Sequence, residues 1–149
     1  MSDCLVYWKF LWGPFKGNLH GLNYEWFSRN ENLLRQLKRG DNLWVVVTGG
    51  AKFPDEWRLL QRINVRAVRD EGCESEFPYH AIGDRKNSPV FEIEAQSDLS
   101  PRLHDLEFAS GKRIQLEGRL IGRALQTIRP LSGADIDLLQ QYTKGLKTR

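Results

Sequence analysis

The segment Leu43–Thr48, which reads LWVVVT, constrains the fold of this chain more than any other stretch. It carries no charge, and every residue before the threonine is apolar. Neither face of a strand built from it can be left in water, so it predicts a central strand of a sheet that is covered on both sides. Gly49 and Gly50 follow directly and predict a tight turn or a close approach of another backbone.

The segment Trp57–Arg69 alternates in polarity with the period of a β-strand. The apolar positions predicted to share one face are Trp57, Leu59, Ile63, Val65 and Ala67. The polar positions predicted to share the other face are Arg58, Arg62, Asn64 and Arg66. Arginine suits bidentate contacts with phosphate, so the polar face is a candidate phosphate-binding surface. The alternative is that glutamates on neighbouring strands neutralise it by cross-strand pairing.

Shorter signals complete the predicted order of elements. Further strands are predicted at Leu5–Trp12, Tyr79–Ile82, Val90–Ile93 and Arg113–Arg123. The helix signals are a capping box of Ser28 and Glu31 closed by Gly40, a short helix or ordered loop at Asp98–Leu106, and a helix capped by Ser132 that runs through Lys144. This order offers few β–α–β crossovers, so we predict an α+β fold in which a small, curved, mixed or antiparallel β-barrel is flanked by helices. With no repeat or linker, residues 1–149 are predicted to form a single domain.

The tryptophans are more informative than the net charge. The chain has 22 Lys and Arg against 19 Asp and Glu, a surplus too small to indicate nucleic-acid binding by itself. All five tryptophans lie within the first 57 residues, at positions 8, 12, 26, 44 and 57. Trp8 and Trp44 are expected in the core. Trp12, Trp26 and Trp57 border loops or element ends, where aromatic faces form pockets for planar bases.

Several classes of protein are not indicated. No nucleophile, phosphate-loop or dinucleotide signature is present, so we predict neither an enzyme nor a cofactor. Cys4 and Cys73 lie far apart and the histidines are scattered, so neither a metal site nor a disulfide is expected. No apolar stretch approaches the roughly 18–20 residues that cross a bilayer, and the N-terminus lacks a signal-peptide pattern. We therefore expect a cytoplasmic protein without a membrane partner.

Short motifs along the chain carry a family resemblance. The aromatic pair Tyr7-Trp8 precedes a Gly/Pro loop and a predicted Trp-bearing helix, and Lys38-Arg39-Gly40-Asp41 then leads into the strand that ends Thr48-Gly49-Gly50. Ile128–Ser132 precedes the last helix. The arrangement resembles the EVE and YTH branch of the PUA-like superfamily, in which a K-x-G-D turn leads into a strand ending in a small polar residue and glycine. A Gly-rich run usual in that family is replaced here by Glu56–Leu60.

The resemblance implies a small mixed barrel and a pocket that recognises a base, often a modified one, by an aromatic cage. By position, Trp26, Thr48 and Gly49 match the family's pocket wall and strand-end contacts, and Trp12 and Trp57 are candidates for the remaining walls.

The expected function is that of a non-catalytic domain that binds DNA or RNA. Its base-binding residues would be Trp12, Trp26, Thr48, Gly49, Gly50 and Trp57, and its phosphate-binding residues Lys52, Arg58, Arg62 and Arg66. One alternative is a protein-interaction or accessory module of a restriction or defence system, docking through its tryptophans. The other is a small enzyme acting on nucleotides or RNA, whose candidate titratable groups would be His20, Asp41, Asp55 and Glu56.

Overall fold

The computed structural model describes residues 2–8, 25–49, 53–72, 74 and 77–148. Its strands are β1 (Asp3–Tyr7), β2 (Glu25–Ser28), β3 (Asn42–Gly49), β4 (Phe53–Asp70), β5 (Tyr79–Gly83) and β6 (Arg129–Pro130). Its helices are α1 (Asn32–Gln36), α2 (Ser100–Asp105), α3 (Ile121–Ala124) and α4 (Gly133–Thr143). Two short 3-10 turns lie at Arg85–Asn87 and Gly118–Leu120.

The described strands form one open, mixed sheet in the order β2-β5-β4-β3-β1-β6. β1 runs parallel to β3, and the other neighbouring pairs are antiparallel. This confirms the predicted α+β class and mixed sheet, but the two edge strands are not paired with each other and the sheet is not closed into a barrel. The sheet is nevertheless strongly curved, as one contact across it shows. Trp26 of edge strand β2 donates its Nε1–H to the carbonyl of Tyr7 in β1 at 3.3 Å, although three strands lie between β2 and β1 in the sheet.

Successive side chains of β3 enter two different hydrophobic cores, as the apolar run predicts. Leu43, Val45 and Val47 belong to the inner core, which lies on the face enclosed by the curved sheet and also contains Trp8, Trp26 and Leu33 of α1. Trp44 and Val46 belong to the outer core. There the helices cover the sheet, with buried contributions from Leu99, Leu103, Ile121 and Leu139. All five apolar residues of LWVVVT are completely buried, so the prediction of a strand covered on both sides is confirmed.

The part of β4 from Trp57 to Arg69 does not keep one apolar face, because two bulges within it shift its register. The register against β3 shifts between Val45 and Val46, where Leu60 is the extra residue, and the register against β5 shifts at Arg66. Trp57 and Leu59 therefore enter the outer core, whereas Leu60, Ile63 and Val65 enter the inner core. The prediction that Trp57, Leu59, Ile63, Val65 and Ala67 share one face is wrong, since each inserted residue reverses the alternation.

The predicted first helix is also corrected. Ser28 ends β2 instead of capping a helix, and its hydroxyl accepts a hydrogen bond from the backbone of Asn30 at 2.9 Å. Glu31 is itself the N-cap residue of a helix of only one and a half turns, without a side-chain capping bond. A capping box needs its serine in the N-cap position, and here the pairing of β2 with β5 takes that serine into the sheet.

The C-terminal half follows the predictions unevenly. α4 is capped by reciprocal hydrogen bonds of Ser132 and Asp135, and α2 lies within the predicted range, so both helices are confirmed. The strand predicted at Arg113–Arg123 is wrong. That segment is irregular up to a 3-10 turn and α3, and Gly118 at its middle has φ 56°, a left-handed conformation that a continuous strand excludes. Val90–Ile93 forms only isolated bridges, to Gln61 and Thr148.

Candidate nucleic-acid interface

The predicted aromatic pocket is not formed by Trp26 and Trp57, because these two side chains lie on opposite faces of the sheet. Trp57 is completely buried in the outer core, where its Nε1–H donates to the carbonyl of Gly118 at 2.9 Å. Trp26 lies in the inner core with 7% of its surface exposed. Trp12, Gly50 and Lys52 lie outside the described residues.

Thr48 and Gly49 end β3, as predicted, but the Thr48 side chain faces away from Trp26. Thr48 lies directly opposite Trp57, and cross-strand partners point to the same face of a sheet. The half-buried Thr48 hydroxyl therefore belongs to the outer face. Gly49 pairs with Phe53 after a register shift. Of the predicted base-contacting residues, only Trp26 is described on the inner face.

The three predicted phosphate-binding arginines of β4 lie in three different environments. Arg58 is 5% exposed, and its Nη2 lies 3.1 Å from Glu56 while its Nη1 donates to the carbonyl of Trp57. Arg62 is half-buried with its guanidinium 5.7 Å from the Trp44 ring. Arg66 is exposed at the second bulge. The bulges prevent these side chains from sharing a face, and only Arg66 is in a position to meet solvent phosphates.

Arg66 lines an open cleft of about 360 Å³ beside the loop that follows β5. We call this the β4–β5 cleft; its charged residues are Glu25, Arg66, Asp84, Arg85 and Lys86. The Asp84 carboxylate accepts hydrogen bonds from the backbone of Lys86 at 3.0 Å and from the side chain of Asn87 at 2.9 Å. Glu25 lies 3.5 Å from the Nδ1 atom of His80. Both carboxylates are therefore engaged locally, and three cationic side chains line the same cleft.

Gln61 is a candidate site residue that the sequence pattern does not indicate. It is completely buried, and neither its Nε2 nor its Oε1 has a hydrogen-bond partner within the described structure. It lies between Val45 and Val90, both of which belong to the inner core. Because paired residues point the same way, the amide of Gln61 also lies on the inner face. Gln61 lies on this face because of the bulge at Leu60. A bulge cannot be predicted from the polarity pattern, so the sequence does not indicate Gln61 as a site residue.

An aromatic cluster shares this inner face with Gln61. The rings of Trp8 and Trp26 lie 6.3 Å apart, and Trp8 meets Phe27 edge-to-face at 5.4 Å. Phe27 in turn meets His80 at 4.3 Å. We call Gln61, Trp8, Trp26 and Phe27 together the inner-face site. It combines aromatic rings with one amide that offers a donor and an acceptor side by side.

The carboxylates that an enzyme would use here are occupied by structural contacts. Asp41 accepts hydrogen bonds from the backbone of Ser2 at 2.8 Å and of Lys38 at 2.9 Å, and Glu56 pairs with Arg58. Asp55 accepts from the backbone of Arg119 at 3.3 Å. His20 lies outside the described residues. Within the described ranges, no three His, Cys, Asp or Glu side chains are grouped as they would be around a metal ion.

Two further observations bear on partners and relatives. None of the helices in the described part of the chain is long and apolar enough to cross a membrane.

Comparison of the sequence with models of known protein families and with curated protein sequences finds no match.

Proposed function

We propose that this chain is a non-catalytic domain that binds DNA or RNA, reading a base at the inner-face site and holding phosphates in the β4–β5 cleft. The observation that carries the proposal is the completely buried amide of Gln61, which has no hydrogen-bond partner among the described residues. A buried polar group without a partner costs about 1–3 kcal/mol, so native proteins contain few of them. A ligand that supplies the missing hydrogen bonds would recover this free energy.

The chemistry of the inner-face site fits the edge of a nucleic-acid base. A glutamine amide pairs in bidentate fashion with an adjacent donor and acceptor, as it does with N6 and N7 of adenine. Trp8 and Trp26 supply aromatic rings in the inner core, with Phe27 packed against Trp8, and stacking on such rings contributes roughly 1–3 kcal/mol per base. Since Gln61 is completely buried and Trp8 and Trp26 are 9% and 7% exposed, a base would enter this site only when its packing opens. That base, which in the proposal is often a modified one, would come from a single strand or be flipped from a duplex.

The β4–β5 cleft supplies the electrostatic part of the proposal. Arg66 follows Gln61 by five positions along β4, which at about 3.3 Å per residue is roughly 17 Å. Lys86 and Arg85 add two more cations to the same cleft. Such contacts give affinity without sequence preference and make it dependent on salt concentration.

The proposal also keeps the PUA-like architecture and a cytoplasmic location. The curvature that brings Trp26 to the carbonyl of Tyr7 supports a barrel-like arrangement of the strands. Cys4, a free and buried thiol, supports a reducing compartment.

Intrinsic tryptophan fluorescence provides a direct test. The protein would be titrated with single-stranded DNA and RNA oligonucleotides, with and without methylated bases, at two salt concentrations. We expect Arg66→Gln to weaken binding to every oligonucleotide and to lower the salt slope by about 1. We expect Gln61→Met to remove the preference among bases while non-specific binding persists. Arg35→Gln, on the exposed side of α1, is the matched control.

Two results would contradict the proposal. Absence of binding to any oligonucleotide at low salt would exclude the phosphate contacts. An unchanged base preference in Gln61→Met would exclude base reading at the inner-face site, even if the salt dependence were as expected.

A further inference from the structure

A second built surface lies far along the chain from these sites, in the loop that follows α2. Phe108 has φ 60°, a left-handed conformation that is strained for a bulky residue. The buried carboxylate of Asp135 holds the loop in this shape by accepting the backbone N–H groups of Glu107 and Phe108, each at 2.8 Å. The backbone of Ala109 also donates to the carbonyl of Pro130 at 3.0 Å. The strained loop is therefore fixed by several independent hydrogen bonds.

The fixed loop orients Arg129 of β6. The guanidinium lies 3.8 Å from the centre of the Phe108 ring, a cation–π contact that occupies one face of the guanidinium. One Nη donates to the carbonyl of Lys112. Burial lowers the pKa of Arg129, and within the described structure no carboxylate is paired with it. The side chain is thus a partly desolvated cation in a restricted orientation, in a residue that is half-buried overall.

Arg129 lines an open groove of about 450 Å³, a volume within the usual range of small-molecule sites. We call it the Arg129 groove; its polar residues are Ser110, Lys112, Arg113, Thr127 and Arg129. No carboxylate is among the described residues that line it. The exposed carboxylate of Glu107 lies 3.4 Å from the guanidinium of Arg113 and is its acidic partner. Apolar contacts come from Ala124, Ile128 and Pro130.

We propose that the Arg129 groove binds a small phosphate monoester that carries a planar ring, that is, a nucleoside monophosphate. Lys112 and Arg113 supply charge-assisted hydrogen bonds for a phosphate. The Arg129 guanidinium, held against the Phe108 ring at 3.8 Å, is a flat cation whose opposite face would stack on a base. The hydroxyls of Ser110 and Thr127 and the apolar side chains complete a site suited to a ribose and a ring. This inference does not depend on the nucleic-acid proposal.

Isothermal titration calorimetry with AMP, adenosine and inorganic phosphate tests the proposal. We expect AMP to bind, and adenosine and phosphate each to bind at least tenfold more weakly. Arg129→Gln is expected to weaken AMP binding at least tenfold, and Lys112→Gln several-fold. Arg35→Gln, remote on α1, is expected to bind AMP as the parent does.

Three results would overturn the proposal: no binding of AMP at millimolar concentration, equal binding of AMP and inorganic phosphate, or unchanged AMP binding in both groove variants. Should Arg129→Gln fail to fold, Lys112→Gln decides alone, because the Lys112 side chain is exposed. Loss of oligonucleotide binding in Arg66→Gln with AMP binding intact would support two independent sites.

Discussion

Replacing Gln61 by methionine is expected to stabilise the protein, although Gln61 is completely buried. Methionine has a similar length and removes the amide whose Nε2 and Oε1 have no partner within the described structure. Replacing an unsatisfied buried polar group by an apolar one of similar shape removes a desolvation penalty of about 1–3 kcal/mol. We therefore expect the free energy of unfolding of Gln61→Met to rise by about that amount.

Gln96 offers a matched control, since it is a second buried glutamine, at 6% exposure, with a fully bonded amide. Its Nε2 donates to the carbonyls of Leu59 at 2.7 Å and Glu92 at 3.0 Å, and its Oε1 accepts from the backbone N–H of Leu59 at 2.8 Å and from Tyr142 at 3.2 Å. Gln96→Met leaves the buried backbone N–H and C=O groups of Leu59 without their hydrogen-bond partners. We expect this variant to lose roughly 2–4 kcal/mol.

Urea unfolding followed by tryptophan fluorescence distinguishes the two variants. With a slope of about 2 kcal/mol per molar urea, the midpoint of Gln61→Met should rise by about 0.5–1.5 M and that of Gln96→Met should fall by about 1–2 M, with slopes unchanged. A lower midpoint for Gln61→Met would refute the reasoning, since it would show that the amide is hydrogen-bonded in the native protein. The base-reading proposal would then lose the observation on which it rests.

Three further predictions concern titratable side chains that are buried or half-buried. Asp135→Ala removes the acceptor of three backbone N–H groups, and we expect urea unfolding to show a loss of about 3–5 kcal/mol; a loss below about 1 kcal/mol would contradict this. Burial raises the pKa of Cys4 to about 12, so in a Cys73→Ser variant we expect the Cys4 thiol not to react with a disulfide reagent at neutral pH until the protein unfolds. Rapid reaction of the native protein would contradict this prediction. Burial alone would raise the pKa of Asp98, but three hydrogen bonds outweigh it and lower that pKa below 3.8, so the stability that the carboxylate adds is present above pH 3.8 and is lost as the pH falls further. We therefore expect the difference in free energy of unfolding between the parent and Asp98→Asn to shrink in acid, and a difference that does not change with pH would contradict this.

The parts of the fold that follow from sequence are those set by local chemistry. The apolar run of β3 requires cover on both faces, and Ser132 with Asp135 forms the capping box of α4. The lengths and faces of the other elements depend on partners that lie far away in sequence. β2 exists because it pairs with β5, and that pairing removes Ser28 from the helix that its sequence predicts.

The candidate site shows the same division. Trp57 borders a loop in sequence, but the carbonyl of Gly118, 61 positions away, takes its indole N–H and the outer core buries the ring. Arg58 lies in a strand of alternating polarity, which predicts an exposed side chain. In the structure its guanidinium is bonded to Glu56, two positions earlier, and to the carbonyl of Trp57. These contacts arise only when the chain has folded, so neither burial is readable from spacing.

The bulge at Leu60 explains why the strand tolerates a buried amide at all. Without the extra residue, Gln61 would turn to the outer face together with Ile63 and Val65, which are now 0% and 1% exposed in the inner core. The bulge keeps both side chains packed in the inner core, and the same register places the amide of Gln61 there without a partner within the described structure. Packing therefore does not require a glutamine at this position, and we expect an apolar side chain of similar length to be more stable there. If Gln61→Met is more stable, as predicted, the amide opposes the stability of its own core, which is the pattern expected of the proposed base-reading site.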